Sequence, residues 1–542
     1  MQSRAKALAA YLAAVLLLTG CSEKKQTAGD EPAVSSLQMM ELNEKNKPEE
    51  IDDAYRNVYE IFPYSYCDSN GDGIGDLQGI ISKLDYIHDT GFNAIWLTPV
   101  CPSPSYHKYD ITDYESIDQS FGTLADYDQL VKEAHERNMK VYFDLVINHT
   151  SSSHPWFQKA AVYLKQLGDN PVNPQDCPYV SYYNFTKKKD TGYASLPGTD
   201  WYYEARFSDG MPDLNLDNEN VRNEIRNIMQ FWIDHKVDGF RLDAVTSYYT
   251  GQPEKNIQFL TWLNQTGKEM KPDLYFVGEA WTQQSEYASY YASGIDSFFD
   301  FAAGDNDGLI AKTLKGDFGA DDFVSYMAKE EELYGSYSPA YINAPFYTNH
   351  DMNRSAGYYA GDDGTLTKEA LAMNLLMSGN AFLYYGDEIG MKGSGIDENK
   401  RAPMYWSDDQ TEDTCNGPAG MGKVTMKFPP LDQQEEDPLS IYSYVKQALL
   451  IRNAFPSIAR GRTIVHDEIN EEEYAVFERK AEGYPSVLIA INTSGEEEQI
   501  DLSKLNYKEL SAVLTSDENK VTYEDGILNL PAHAIVVMEA DQ

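Results

Sequence analysis

Eight short apolar runs, separated by stretches of helical periodicity, recur through this chain of 542 residues. They span residues 59–66, 94–98, 141–147, 237–242, 274–278, 297–301, 344–348 and 381–385. Short apolar runs with little polar alternation are typical of parallel strands that are buried on both faces. Strands that alternate regularly with helices predict an α/β fold, here a (β/α)8 TIM barrel.

Two segments depart from this rhythm. Residues 150–217 form an aromatic stretch with Pro and Gly that is too long for an ordinary loop, so we expect an inserted domain after the third strand. Beyond residue 455, short alternating runs between charged turns predict a C-terminal antiparallel β-sandwich. The predicted organisation is a barrel of residues 53–149 and 218–455, an inserted domain of residues 150–217 and a C-terminal domain of residues 456–542.

Carboxylates end or closely follow three of the predicted strands. Asp243 and Glu279 each come directly after an apolar run, and Asp351 follows another by three residues. The carboxyl ends of barrel strands meet at one face, so acids that are distant in sequence can converge there. A single acid at a strand end is more often a loop cap or a surface ion-pair partner, but here the acids come as a set.

The surroundings of two of these acids differ in a way that suits glycosidic chemistry. Retaining glycoside hydrolysis needs an ionised carboxylate as nucleophile and a protonated carboxyl as acid. Arg241 lies two residues before Asp243, so on a strand both side chains face one side and the guanidinium favours the ionised carboxylate. Glu279 lies between Val277 and Trp281, an apolar setting that raises the pKa of a carboxyl.

The order and wording of these segments resemble the α-amylase family, glycoside hydrolase family 13. Further matching segments are residues 91–99 (GFNAIWLTP), 211–215 (MPDLN) and 386–391 (GDEIGM), so the resemblance runs from about residue 55 to the C-terminus. The wording MPDLN resembles members that are intermediate between oligo-1,6-glucosidases and neopullulanases.

The resemblance implies a role for each acid. It makes Asp243 the nucleophile, Glu279 the general acid/base, and Asp351 the acid that fixes substrate hydroxyls and favours the distorted, oxocarbenium-like ring. It also implies that Tyr109 is an aromatic platform for a sugar ring, and that His149 and His350 donate hydrogen bonds to sugar hydroxyls. It makes Arg241 the partner of the nucleophile. It implies that Asp110 and Arg401 bind the outer hydroxyls of a terminal glucose.

The resemblance leads us to expect an α-amylase, which hydrolyses internal α-1,4 bonds of starch or maltooligosaccharides with retention. Alternatives within the family are an α-glucosidase or oligo-1,6-glucosidase, a neopullulanase and a 4-α-glucanotransferase, although Ala244 after the nucleophile favours α-1,4 bonds. From another class, the chain could be an inactive glycan-binding lipoprotein. Such members lose catalytic carboxylates, whereas all three acids are present here.

Residues 68–76 have the spacing of a calcium-binding loop. Oxygen donors occupy positions 1, 3, 5 and 9, a glycine at position 6 allows a sharp turn, and position 12 is Gly79 instead of the Glu of a complete EF-hand. The donors are Asp68, Asn70, Asp72, Asp76 and the carbonyl of Ile74. Family members that are similar here bind structural Ca²⁺, which we therefore expect. A second calcium of many members is in doubt, because Thr246-Ser247 replaces their Lys-His pair.

The N-terminus has the features of an export signal. Arg4 and Lys6 precede an apolar run at residues 8–18, which is too short to span a bilayer. The run ends in Leu-Thr-Gly-Cys at residues 18–21, which resembles a bacterial lipobox. We expect residues 1–20 to be a lipoprotein signal peptide, Cys21 to be lipidated, and residues 21–52 to form a flexible tether. The enzyme would be exported and anchored at the cell surface, with membrane contact only through Cys21.

Charge and cysteine content bear on partners and compartment. A net charge of −42 argues against binding to nucleic acid or to an anionic membrane. Cys67, Cys101, Cys177 and Cys415 are compatible with two disulfides outside the cytoplasm, and the pair favoured by neighbouring strand ends is Cys67 with Cys101. We expect a monomer whose partner is an α-glucan polysaccharide or oligosaccharide.

Overall fold

The computed structural model describes residues 51–409 and 413–540. The predicted signal peptide, Cys21 and almost all of the predicted tether lie outside these residues. Within the described part of the chain, no helix has both the length and the apolar character needed to cross a membrane.

Eighteen strands are described, most of them four to six residues long. In chain order they are β1 (Asn57–Ile61), β2 (Ala94–Leu97), β3 (Lys140–Leu145), β4 (Phe185–Thr186), β5 (Tyr193–Ser195), β6 (Tyr202–Glu204), β7 (Gly239–Leu242), β8 (Tyr275–Gly278), β9 (Ser297–Phe298), β10 (Ala381–Tyr384), β11 (Arg462–Val465), β12 (Tyr474–Lys480), β13 (Val487–Asn492), β14 (Glu498–Asp501), β15 (Ala512–Leu514), β16 (Thr522–Glu524), β17 (Ile527–Leu530) and β18 (Ile535–Glu539).

The α-helices lie mainly between the first ten strands and just after them. They are α1 (Leu77–Ser82), α2 (Leu84–Thr90), α3 (Leu124–Glu136), α4 (Pro155–Leu167), α5 (Glu219–Asp234), α6 (Pro253–Met270), α7 (Gln284–Tyr290), α8 (Leu309–Leu314), α9 (Ala320–Tyr337), α10 (Thr365–Leu376), α11 (Asp397–Lys400), α12 (Leu431–Gln434), α13 (Ile441–Ala454) and α14 (Ser457–Arg460). Short 3-10 turns lie at Pro63–Ser65, Pro178–Ser181, Tyr291–Ser293, Ser355–Gly357 and Asp387–Ile389.

Local sequence explains how these elements begin and end. Strand β1 stops at Ile61 because Pro63, which lacks an N–H group, starts a 3-10 turn. Helix α5 begins where the Asn218 side chain accepts a hydrogen bond from the N–H of Asn220. Its buried side chains recur every three or four residues and form one apolar face against the sheet; they are Val221, Ile225, Ile228, Met229 and Trp232.

Seven parallel strands form the barrel sheet, in the order β10-β1-β2-β3-β7-β8-β9. Residues 344–348, predicted as the remaining strand, close the barrel through two isolated parallel bridges. These join Phe299 to Ala344 and Phe346 to Phe382. The TIM-barrel prediction is confirmed, but β9 is only two residues long and the segment after it is held by single bridges instead of a continuous ladder.

The barrel interior is apolar at its base and charged above. One buried apolar cluster inside the sheet contains Val58, Ala94, Trp96, Tyr142, Val277, Phe346 and Phe382. Side chains alternate along a strand, so the next inward residue lies two positions later. At these positions stand Glu60 after Val58, Asp144 after Tyr142, and Glu279 after Val277. Inside the barrel, a layer of buried charged residues therefore lies directly above an apolar layer.

The chain leaves the barrel between β3 and β7. There it forms α4 and a three-stranded antiparallel sheet in the order β4-β6-β5. Aromatic rings of both elements pack together, and Phe157 lies 4.8 Å from Tyr203 between ring centroids. An insertion after the third strand is thus present, while the exact domain boundaries remain predictions.

Two antiparallel sheets form the C-terminal part, in the orders β11-β12-β13-β18-β15 and β14-β17-β16. Val476 and Leu488 of the larger sheet pack in one buried cluster with Ile500 and Leu528 of the smaller sheet. Neighbouring residues such as Phe477 point the other way and join the main core of the barrel. The predicted β-sandwich is confirmed.

The predicted disulfide between Cys67 and Cys101 is wrong. All four described cysteines are buried free thiols. The Cys67 sulfur lies 3.8 Å from the Ser82 hydroxyl on α1, whereas the Cys101 sulfur faces the Tyr114 carbonyl at 3.7 Å. Neighbouring strand ends therefore direct the two side chains into different contacts.

One buried ion pair joins the barrel to the sandwich and gives a stability prediction. Glu331 of α9 lies 2.8 Å from the Nη1 atom of Arg479 on β12, and both are buried. Replacing Glu331 with Gln leaves the guanidinium without its counter-charge, so we expect a loss of about 3–5 kcal/mol in the free energy of unfolding. The measurement is urea denaturation followed by fluorescence.

The matched control is Asp217→Asn, which removes an exposed ion pair with Lys255 at 2.6 Å. Such pairs contribute about 0–1 kcal/mol, so the control should unfold close to the wild-type urea concentration. Equal losses in the two variants would contradict the role assigned to Glu331.

Candidate active site

A buried arginine organises the carboxyl end of the barrel. Arg241 on β7 has 0% exposure. Its Nη1 atom donates to Asp144 Oδ1 at 2.9 Å and to Asp243 Oδ1 at 2.8 Å. Its Nη2 atom lies 3.1 Å from Glu279 Oε1 as an ion pair, without the geometry of a hydrogen bond. One guanidinium thus contacts three carboxylates.

Strand register and a backbone bend produce this arrangement. Asp144 and Arg241 are paired residues of neighbouring strands β3 and β7, and Glu279 directly follows β8, the next strand. Ala244, directly after Asp243, has φ 51°, a left-handed conformation that is uncommon outside glycine. Its N–H donates to Glu279 Oε2 at 3.1 Å. The bend therefore turns the chain after Asp243 toward the second acid.

The surroundings of Glu279 favour its protonated form. Burial raises the pKa of Glu279 to about 7; the Arg241 cation opposes this and the neighbouring Asp243 charge adds to it. Near neutral pH, a substantial fraction of Glu279 therefore carries a proton. Asp243 accepts a charge-assisted hydrogen bond from Arg241.

The third acid, Asp351, is held by two cations. Arg401 Nη2 lies 2.7 Å from Asp351 Oδ1, and His350 Nε2 lies 3.2 Å from Oδ2. Burial favours the neutral carboxyl, but these cations overcome it and hold the pKa of Asp351 well below its usual range. Its side chain keeps 34% exposure, so this ionised carboxylate is partly accessible to solvent.

An aromatic and two histidines surround the acids. The Tyr109 ring stacks on His350 with centroids 5.4 Å apart and planes at 8°. Its hydroxyl donates to Asp144 Oδ2 at 2.9 Å. His149 lies 3.1 Å from the Tyr109 carbonyl through Nε2, and burial lowers the pKa of this imidazole. The structure thus brings the predicted sugar-binding rings next to the acids.

Asp110 and Arg401 lie in separate contacts. The Asp110 carboxylate accepts hydrogen bonds from the hydroxyls of Ser103, at 2.6 Å, and Ser105. Arg401, besides its contact with the third acid, pairs with Asp397 of α11. Their joint binding of a terminal glucose stays a prediction.

Two charged residues at the site escaped the sequence prediction. Glu60 lies 2.6 Å from His350 Nδ1, and Asp397 contacts both Arg401 and the Tyr106 hydroxyl, the latter at 2.8 Å. Each had a signal. Glu60 interrupts an apolar strand, and Asp397 lies four residues before Arg401, a spacing that pairs side chains on a helix.

Sequence and structure comparisons agree with this geometry. The family model described as alpha amylase, catalytic domain, matches residues 60–461. The chain belongs to the α-amylase family, glycoside hydrolase family 13. It is accordingly an enzyme of the glycosidase type.

Relatives within the family carry several activity names. Alpha-amylase 3 of Dictyoglomus thermophilum is 39% identical over 426 residues, covering 75% of this chain and 79% of that protein. Oligo-1,6-glucosidase of Parageobacillus thermoglucosidasius is 30% identical over 505 residues, covering 78% and 86%.

Solved structures of the family are also similar along almost the whole chain. Eubacterium rectale Amy13B superposes with a TM-score of 0.91 at 49% identity, covering 93% of this chain and 99% of that one. An alpha-amylase from H. orenii superposes with a TM-score of 0.78 at 32% identity, covering 90% and 100%.

The predicted calcium loop is a compact series of turns. Asp68 and Asp76 are buried, and the carboxylate of Asp68 accepts hydrogen bonds from the N–H groups of Asn70, Gly71 and Gly73. Within the described residues, no group of three or more His, Cys, Asp or Glu side chains is arranged to hold a metal ion. The oxygen donors suit Ca²⁺, but binding requires the loop carboxylates to turn toward one centre.

Calcium binding at this loop therefore stays a prediction with a thermal test. If it is right, adding Ca²⁺ to chelator-treated protein should raise the apparent melting temperature, because the cation offsets repulsion among the carboxylates. Asp72→Asn, at an exposed loop position, should reduce that increase. Identical melting curves with excess EGTA and with excess Ca²⁺ would contradict the assignment.

Proposed function

We propose that this enzyme is an extracellular α-amylase, which hydrolyses internal α-1,4-glucosidic bonds of starch and maltooligosaccharides with retention. The supporting observation is the placement of Asp243 and Glu279 on one buried guanidinium, together with the burial that shifts Glu279 toward its protonated form. A pair of carboxyl groups in different protonation states is what the first step of retaining hydrolysis requires.

In the proposed first step, an Asp243 oxygen attacks the anomeric carbon while the bond to the leaving oxygen breaks. Glu279 gives its proton to that oxygen, and a covalent glycosyl-enzyme forms. In the second step, Glu279 takes a proton from water, whose oxygen displaces Asp243 from the anomeric carbon. The two displacements together retain the configuration, and the Asp351 charge stabilises the positive ring in both transition states.

An exposed aromatic supports action on long chains. Trp281 lies two residues after Glu279, is 52% exposed, and stacks on Phe301 with centroids 5.2 Å apart. A flat, exposed ring close to the acid in sequence suits the apolar face of a sugar. Extended substrates would gain most from such a surface.

An exo-acting α-glucosidase or oligo-1,6-glucosidase is the second candidate. Tyr106, in the loop after β2, donates to Asp397 of α11, which follows β10, and Arg401 contacts both side chains. This connection joins the loop after β2 to the segment after β10 beside Asp351. Relatives named oligo-1,6-glucosidase add weight to the alternative.

The pH dependence of hydrolysis tests the acid/base role. Glu279 must hold its proton in the first step, so kcat/KM should fall as pH rises through about 7, the pKa to which burial raises this carboxyl. Glu279→Gln should lower kcat by about 10²–10⁴-fold and abolish the basic limb of the profile. The exposed control Glu254→Gln should leave rate and profile unchanged. A Glu279→Gln variant with the wild-type profile would refute the role.

Products from amylose, pullulan and maltoheptaose separate the two candidates. An α-amylase should cause a rapid loss of iodine staining of amylose and release mixed maltooligosaccharides. Trp281→Ala should then raise KM for maltoheptaose more than for maltose-sized substrates. Glucose as the sole product, with slow loss of viscosity, would instead establish an exo-glucosidase, and products longer than the substrate would indicate transfer.

We also propose that Cys21 carries a lipid anchor that holds the enzyme at the bacterial cell surface. The support is the apolar run at residues 8–18 followed by the lipobox-like wording at residues 18–21. Fatty-acid labelling of the wild-type protein and its loss in Cys21→Ser would support the anchor. Labelling that persists in Cys21→Ser would exclude this residue.

A further inference from the structure

A buried glutamate lies behind the histidine that holds the third acid. Glu60 on β1 is 1% exposed and His350 is fully buried. Glu60 Oε1 is 2.6 Å from His350 Nδ1 and 3.3 Å from the His350 main-chain nitrogen. Both the ring and its backbone therefore donate to the same carboxylate oxygen. The proposed reaction does not use Glu60 directly.

The opposite ring nitrogen also faces acceptors. His350 Nε2 lies 3.2 Å from Asp351 Oδ2 and 2.7 Å from the Tyr109 hydroxyl oxygen. That hydroxyl has a single proton, which it donates to Asp144. Its oxygen can then only accept from His350. A neutral imidazole carries one N–H, whereas donors are needed here at both nitrogens.

We propose that Glu60 is a positioning residue that keeps His350 doubly protonated, so that Nε2–H holds Asp351 and Tyr109 in place. The kinetic consequences of this proposal rest on the proposed hydrolase function, whereas the protonation state of His350 does not.

The charges around the ring agree with a stable imidazolium. Burial lowers the pKa of His350, but Asp351 and Glu60 overcome that effect and raise it to about 10. Burial raises the pKa of Asp144 to about 6 and that of Glu279 to about 7, and the His350 cation partly opposes both increases. The charged groups around His350 and the residues it contacts are Glu60, Asp144, Arg241, Glu279, Asp351 and Arg401.

Histidine NMR of the wild-type enzyme tests the protonation state directly. In ¹⁵N-histidine-labelled protein at pH 8, the His350 ring should show two protonated nitrogens, assigned by their loss in His350→Gln. An ordinary histidine is neutral at this pH. A single protonated ring nitrogen at pH 8 would overturn the proposal, whatever reaction the enzyme catalyses.

The isosteric change Glu60→Gln tests the role in catalysis. Its amide oxygen can still accept from Nδ1–H, but the lost charge lowers the His350 pKa. The ratio of variant to wild-type kcat/KM should be constant at low pH and fall by about tenfold per pH unit above that lowered pKa. For Glu60→Asp, which retains the charge, the ratio of kcat/KM to that of the wild type should fall less steeply with pH. A ratio for Glu60→Gln that stays constant with pH would overturn the positioning role.

A second buried glutamate gives the matched control. Glu388 accepts hydrogen bonds from the hydroxyls of Tyr59 and Tyr86. Glu388→Gln should change stability without changing the pH dependence relative to wild type. The same pH-dependent loss in Glu388→Gln would mean that any buried charge has this effect, which would contradict a specific role for Glu60. If Glu60→Gln fails to fold, the NMR of wild-type His350 decides the proposal.

Discussion

The arrangement of the active site depends on the burial of the Arg241 guanidinium. Taking a cation out of water costs several kcal/mol unless counter-charges and hydrogen bonds replace the solvent. Asp144 and Asp243 supply counter-charges from two neighbouring strands, and Glu279 approaches the guanidinium from the end of a third. Because a guanidinium is planar and keeps its charge, it also sets the directions from which these carboxylates approach.

A second, cation-centred arrangement holds the remaining acid. His350 and Arg401 both contact Asp351, and each cation has a further carboxylate on its other side, Glu60 and Asp397 respectively. The two arrangements have opposite effects on protonation. Around Glu279 burial prevails and favours the neutral carboxyl, whereas around Asp351 the two cations prevail and favour the anion. Three similar carboxyl groups can thus serve different steps of one reaction.

Much of the barrel could be predicted because each strand is a short apolar run, and the runs keep their order around the sheet. The ends were harder to predict. The run at residues 297–301 contains Asp300, which accepts from the Tyr287 hydroxyl, and the chain turns there, so β9 ends at Phe298. The predicted cysteine pair was wrong because two cysteines that follow neighbouring strands need not point toward each other, and the sequence does not show their side-chain directions.

Within the site, predictable contacts were those encoded by local spacing. Arg241 and Asp243 are two residues apart on a strand, which places both side chains on one side, and they do form an ion pair. The contact between Glu60 and His350 joins residues 290 positions apart, so it depends on closure of the barrel. The spacing of residues along the chain therefore does not show that His350 is the partner of Glu60.

The most direct test of the assignment of Asp243 as nucleophile is peptide mapping by mass spectrometry after reaction with α-maltosyl fluoride. Fluoride leaves without a proton donor, so Glu279→Gln can complete the first step but lacks the base for the second. The assignment predicts that a maltosyl group accumulates on the peptide that contains Asp243. Label on a different carboxylate, or fluoride release without any label, would contradict it.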